Sequence, residues 1–228
     1  MYFYWAKDAG IADADVYVLD LKGNVVDTFI GAAPPHGADI HWRESTDTLI
    51  CSSGGSAVPE IREINKTTGA TIHSWDCTGI GYNQNALVAH DNSYNPSTFY
   101  LFTGDASFNI KVTIITAADN NTFVEGATAS RSNLYVPQGL VYKDGFLYLL
   151  SDSYPSKSNR MIRKLNTDLS GGVLATYMFP TSPQSKEGEG LEIYQNRFYF
   201  GSLDRGTNGL SIFRTANIPF LDSVGSDW

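Results

Sequence analysis

The sequence predicts an all-β chain folded as a five-bladed β-propeller with mostly four-stranded antiparallel blades, and three observations predict it. An apolar pair recurs as Val16/Leu19, Ile61/Ile64, Val112/Ile115, Ile162/Leu165 and Leu210/Phe213, at spacings of 45, 51, 50 and 48 residues. A period in that range marks stacked β-units. Shared among five units, 228 residues leave about 46 for each, within the ~40 to 50 that a four-stranded blade takes. Helical periodicity is nearly absent: no window of eleven or more residues sustains apolar spacing at three and four.

The elements follow in order. Around the pair, the stretches beginning at Val16, Ile61 and Ile162 each read as a short alternating segment, a turn rich in Asn, Asp and Gly, and a second alternating segment. That is a hairpin written in sequence. Upstream of each pair lies another apolar strand, at Tyr2 to Ala6, Leu49 to Ser52, Phe99 to Thr103, Leu147 to Ser151 and Phe198 to Gly201. Further upstream, in all units but the first, a small residue opens an innermost strand at Gly37, Asn85, Gly139 and Gly190. The Gly and Pro clusters at 31–37, 54–59, 180–190 and 201–209 are read as loops between strands.

Blades bury their faces only against neighbours, so residues 1–228 are expected to form one cooperative domain without a linker. Closure is the open point. The first unit lacks an innermost strand, and the twelve residues from Asn217 to Trp228 could supply either that strand or the outer strand of the fifth unit. A start in mid-blade favours a piece cut from a longer protein over a ring closed on partial blades.

Composition narrows the function. A net charge of -8 argues against nucleic acid, whose binding rests on many Lys and Arg displacing counterions. No run approaches the ~18 apolar residues of a membrane helix, and no basic segment precedes an apolar one at the start, so neither a membrane partner nor a leader is expected. Cys51 and Cys77 fall two strand spacings apart across one blade, too far for a disulfide, and are expected to be free thiols. Asn65-Lys-Thr and Asn120-Asn-Thr match the glycosylation pattern but fall in predicted hairpin turns, where chance matches are the better reading.

In a propeller, the loop entering the innermost strand and the loop leaving the second strand open on the same face. The residues just before each innermost strand are His36, Gln84, Gln138 and Glu189; those at the end of the second strands are Asp8, Asp105, Asp152 and Asp204. Any one of these could cap a turn through its own backbone. Taken together, convergent acids in one funnel are favoured as a ligand site, where like charge and desolvation raise pKa values.

Were the protein an enzyme, it would be a glycoside hydrolase with Asp105, Asp152, Glu189 and Asp204 as candidate carboxylates, their separation deciding retention or inversion. No cofactor is expected, with calcium left as an open alternative, because no local loop supplies its alternating acidic pattern. His36 is the one candidate histidine ligand, yet His36, His41, His73 and His90 show no paired spacing, which favours structural or solvated roles. No Gly-x-Ser-x-Gly elbow occurs, and Glu187-Gly-Glu-Gly lacks the Lys of a nucleotide loop. Binding asks less of the geometry. Tyr82, Phe108, Tyr135 and Tyr154 in predicted loops would stack on a sugar face while acids and amides bond its hydroxyls. Lys7, Arg131, Lys157, Arg160, Lys186 and Arg205 are placed in the same loops, where they read as solubilising residues able to meet phosphates. The ligand-binding candidates are His36, Gln84, Asp105, Gln138, Asp152, Tyr154, Glu189, Asp204 and Arg205.

The stretch from Glu187 to Ser202 closely resembles the last blade of propellers in receptor-binding tail proteins of phages infecting Gram-positive bacteria. Val136-Pro-Gln-Gly-Leu-Val-Tyr-Lys-Asp-Gly-Phe-Leu-Tyr-Leu resembles the preceding blade of that group, which is similar in turn to helveticin-type bacteriocins and a teichoic-acid-associated bacterial protein. The likeness covers roughly residues 30–215 and is clearest over 136–214. It implies a virion or extracellular module that recognises cell-wall glycopolymers such as teichoic acid. It further implies tail-fibre partners and a homotrimeric parent, with Gln138 and Glu189 as mouth residues. No trimerising stem is present, and the first blade departs from the pattern.

Overall fold

The computed structural model describes residues 2–7, 12–55, 57–82, 84–90, 98–105, 109–117, 123–131, 136–152, 159–168, 170–180, 186–204 and 209–215. Of these it gives backbone alone at positions 7, 84, 85, 117, 131, 159, 180, 186–189, 202–204, 209 and 210. Every element among them is a strand. The fold is an all-β, five-bladed β-propeller of antiparallel sheets with three or four strands each. Among the described residues no helix is long and apolar enough to cross a membrane. The chain divides into two compact units, Met1–Leu134 and Tyr135–Trp228.

The first unit holds three sheets. Strands β1 (Phe3–Lys7), β2 (Asp13–Leu19) and β3 (Val25–Pro35) form a three-stranded sheet in chain order, and β4 (Asp39–Arg43), β5 (Thr48–Ser52), β6 (Glu60–Asn65) and β7 (Thr71–Asp76) a four-stranded one. The third pairs β8 (Gln84–His90), β9 (Thr98–Gly104), β10 (Ile110–Ala117) and β11 (Phe123–Arg131). In the second unit, β12 (Val136–Lys143), β13 (Phe146–Asp152), β14 (Asn159–Asn166) and β15 (Val173–Pro180) make a four-stranded sheet. The last sheet, β16 (Lys186–Tyr194), β17 (Arg197–Asp204) and β18 (Gly209–Arg214), has three. Four strands thus occur in three sheets, while the first lacks a leading strand and the fifth a trailing one among the described residues. The segment 217–228 lies outside them.

The recurring pair explains the stacking. Residues three apart in a strand point to opposite faces, so one pair joins two cores. Ile61 packs with Ile50, Trp75, Val88, Phe99 and Leu101, whereas Ile64 packs with Val16, Val18, Ala33, Leu49 and Cys51. In the second unit Ile162 joins Tyr148, Leu150, Leu191, Phe198 and Phe200.

Turn chemistry closes the hairpins as the sequence indicates. The Asp20 carboxylate accepts the backbone N–H of Lys22 at 2.8 Å and of Asn24 at 2.9 Å, around Gly23 at φ 84°. Asn65 uses its side-chain oxygen in the same way, accepting from Thr67 and Thr68 at 2.9 and 3.0 Å. Asn65-Lys-Thr therefore lies in a turn, and its Asn is already engaged; Asn120 is outside the described residues. The loop readings are corrected at three places: Gly31 to Pro35 form the end of β3, Lys186 to Gly190 belong to β16 and Gly201 to Asp204 to β17.

Both thiols are free and fully buried. Burial pushes the Cys77 thiol up to about 12 and raises that of Cys51 further. Because the thiolate is the nucleophile, neither should be alkylated by iodoacetamide at pH 8 in the folded protein, and both should be once guanidinium unfolds it. Mass spectrometry of the quenched samples reads this directly, and rapid modification of either native thiol would contradict the burial.

Candidate functional site

The leading strands do not begin where the sequence suggests. Gln84 is the first residue of β8, Gln138 the third of β12 and Glu189 the fourth of β16, so three of the four residues expected in entry loops lie inside strands. His36 alone sits in a turn, ahead of β4. Each of the three instead flanks or occupies a β-bulge, with register shifts between Gln84 and Leu87, Pro137 and Gly139, and Glu189 and Leu191. A bulge adds one unpaired residue, bends the strand and re-aims a side chain, and bulges concentrate beside active sites.

In the second unit two of these bulges meet. A Cβ placed on Gly139 would come within 2.6 Å of the Leu191 nitrogen and 2.7 Å of the Gly190 carbonyl carbon. Only glycine allows the two backbones this close, and Gly190 itself takes φ 61°. Gln138 and the backbone of Glu189 are thereby held on adjoining strand segments.

Asp152 ends β13 directly across from Val136 on one side and Arg160 on the other. Its carboxylate lies 3.4 Å from Arg160 Nε, and the side chains are 0% and 1% exposed. Among the described residues Arg160 Nη2 has no hydrogen-bond partner. A carboxylate fully buried against a guanidinium is shut away from solvent, which suits a structural counter-ion better than a proton shuttle.

In the first unit His36 adopts φ 68°, and its ring lies over the Gly54–Gly55 backbone, where a Cβ on either glycine would meet it at 2.7 and 3.1 Å. Asp105, just past β9, clasps Asn109: its carboxylate accepts the Asn109 backbone N–H at 2.9 Å and side-chain amide at 2.8 Å. That repeats the Asp20 turn and gives Asp105 a turn-closing role.

Asp204 ends β17 and Glu189 lies in β16, both described in backbone only. Asp8, Phe108, Tyr135, Tyr154, Lys157 and Arg205 fall outside the described residues. The loop placement of the basic residues is corrected: Lys7, Arg131, Arg160 and Lys186 belong to strands β1, β11, β14 and β16. Arg160 in particular is a buried ion-pair partner rather than a solubilising charge. Tyr82 does carry a cation, with Lys111 Nζ 4.6 Å from its ring centre.

A polar cluster that sequence reasoning missed lies between the second and third sheets. His41 Nε2 is 3.1 Å from Asp39, and Arg43 donates to Glu63 at 3.0 Å, all four side chains being nearly inaccessible. Thr46 and Thr48 also donate to Glu63, His73 Nε2 lies 3.9 Å from it, and the Arg43 guanidinium sits 5.6 Å from the Phe99 ring centre. No group of three or more His, Cys, Asp or Glu able to hold a metal ion occurs among the described residues.

The chain is similar in structure to a chain of a nidogen/laminin complex, with a TM-score of 0.56 and 10% identity over 93% of this chain and 92% of that one. Two proteins named as propellers align more loosely. They are the Cps50 (Swd1) β-propeller domain of Myceliophteria thermophila (TM-score 0.44, 10% identity, 92% of this chain, 68% of that one) and the Dos1 propeller (0.41, 14%, 88% and 52%). No protein-family model matches the chain, and no curated protein matches it in sequence. At these identities the likeness concerns the fold alone.

Proposed function

We propose that the protein is a non-catalytic carbohydrate-recognition propeller. Its ligand is a cell-wall glycopolymer of the teichoic-acid kind, bound where the bulged leading strands of the second unit adjoin. One observation carries the reading: the backbone contact of Gly139 with Gly190 and Leu191, which sets Gln138 beside Glu189. Side-chain amides and carboxylates presented from rigid strands are what sugar hydroxyls bond to. The occupied state of Asp105 and Asp152 favours binding over hydrolysis, since one closes a turn and the other neutralises a buried guanidinium. The resemblance of residues 136–214 to phage tail propellers supports a setting on a virion or a secreted bacterial protein, within a trimeric fibre.

Pull-down of the chain by purified wall polymer tests this. Gln138→Ala and Glu189→Ala should each weaken capture at least tenfold without shifting the unfolding midpoint. Unchanged capture in both variants would remove the site from these bulges. Release of reducing sugar from any polymer would replace binding with glycoside hydrolysis.

A further inference from the structure

Trp42 is 45% exposed although it sits in a strand of five residues whose other positions are buried or half-buried. It is not left loose. The indole Nε1–H donates to Asp47 at 3.2 Å, Lys66 bonds the same Asp47 carboxylate, and Lys66 Nζ lies 5.8 Å from the Trp42 ring centre. Asp47 holds its place in the β4–β5 turn at φ 57°, and its bond to Lys66 keeps its carboxyl below the usual range.

On the neighbouring sheet Tyr4 of β1 packs at the margin of the core that Leu49 and Ile64 share with Val16. Burial raises its pKa; Leu49 is the register partner of Trp42, so Tyr4 and Trp42 border the same core, and Tyr2 lies two residues before Tyr4. Tyr2 is 56% exposed. The exposed Trp42 ring thus stands beside a carboxylate and an ammonium whose charges cancel.

We propose that Trp42, Tyr2, Tyr4, Asp47 and Lys66 form a saccharide subsite that takes one neutral pyranoside unit. A pyranose ring presents C–H groups on one face and hydroxyls around its rim; the first suit an exposed indole, the second a paired carboxylate and ammonium. The Lys66–Asp47 pair holds the indole in one rotamer before the ligand arrives, which lowers the ordering cost of binding. The cancelled charge selects against phosphate and carboxylate ligands. This subsite rests on the glycan-recognition reading above and lies on different strands from the bulges of the second unit.

Methyl glycosides of glucose, galactose and N-acetylglucosamine are the probes, titrated into the full chain while the Trp42 indole N–H resonance is followed. At least one glycoside should shift that resonance saturably; by titration calorimetry, which does not depend on the indole, Trp42→Ala and Asp47→Ala should each weaken the binding tenfold or more, and Trp42→Tyr, which keeps a ring, should retain most of it. Circular dichroism verifies that the variants fold. Binding by none of the three glycosides, or equal binding by folded Trp42→Ala, overturns the subsite. Polymer capture that depends on Gln138 and Glu189 but is untouched by Trp42→Ala overturns it while leaving the recognition reading intact, and loss of all capture removes both. A change of oligomeric state on Trp42→Ala, without any glycoside shift, identifies this surface as a contact between copies and also overturns the proposal.

Discussion

Truncating Glu63 to Ala is expected to destabilise the folded chain by about 3–5 kcal/mol, a large share of the ~5–15 kcal/mol that holds a domain together. Glu63 is buried and accepts three hydrogen bonds, from Arg43 Nη1 at 3.0 Å, Thr46 at 3.0 Å and Thr48 at 2.5 Å. Without it the Arg43 guanidinium keeps its charge in a low-dielectric setting, against the Phe99 ring, and loses the carboxylate it donates to at 3.0 Å. Two threonine hydroxyls lose their acceptor as well. Urea unfolding of Glu63→Ala should show a midpoint well below that of the parent. The double variant Glu63→Leu with Arg43→Met should recover most of the loss, because an apolar pair of similar volume escapes the desolvation of both charges. A Glu63→Ala loss under about 1 kcal/mol would mean that water reaches the cluster.

The same cluster shows where the sequence stopped being legible. In Asp39-Ile-His-Trp-Arg the polar and apolar positions alternate, and a period of two ordinarily assigns the polar ones to solvent. Here the assignment is reversed: Asp39, His41 and Arg43 are buried while Trp42 is exposed. Alternation fixes that two faces differ, not which face meets the next sheet. For Arg43 the partner is distant in sequence, Glu63 twenty residues on, and no local pattern announces it.

Spacing did mark the stacked units, and packing then shows that Ile61 and Ile64, three apart, serve two interfaces at once. It could not reveal the bulges, since a bulge is a mismatch of register between two strands and is absent from either alone. Gly139 and Gly190 were visible as small residues opening strands, but that they touch one another follows from packing between sheets. The acids divided on the same ground: Asp105 closes a local turn that Asn109 four residues on makes readable, whereas Asp152 owes its burial to Arg160 and the neighbouring sheet.

Asp152 carries the second large effect. Asp152→Asn keeps the shape of the side chain and removes its charge, leaving Arg160 fully buried without a counter-ion, and should cost about 3–5 kcal/mol. The penalty is sharpened by Arg160 Nη2, which has no hydrogen-bond partner among the described residues. Asp152→Leu combined with Arg160→Met should return most of the stability, read as the recovery of the denaturant midpoint at unchanged slope. That double variant also separates the two roles open to this carboxylate. If Asp152 were a nucleophile or general acid, a folded double variant would lose turnover on a wall polysaccharide entirely. If it is a counter-ion that steadies the end of β13 beside the bulges of β12 and β16, the double variant should capture wall polymer as well as the parent. A single substitution cannot tell these apart, since Asp152→Asn would abolish either function by unfolding the blade, and only restoring the apolar balance at Arg160 exposes which one the site requires.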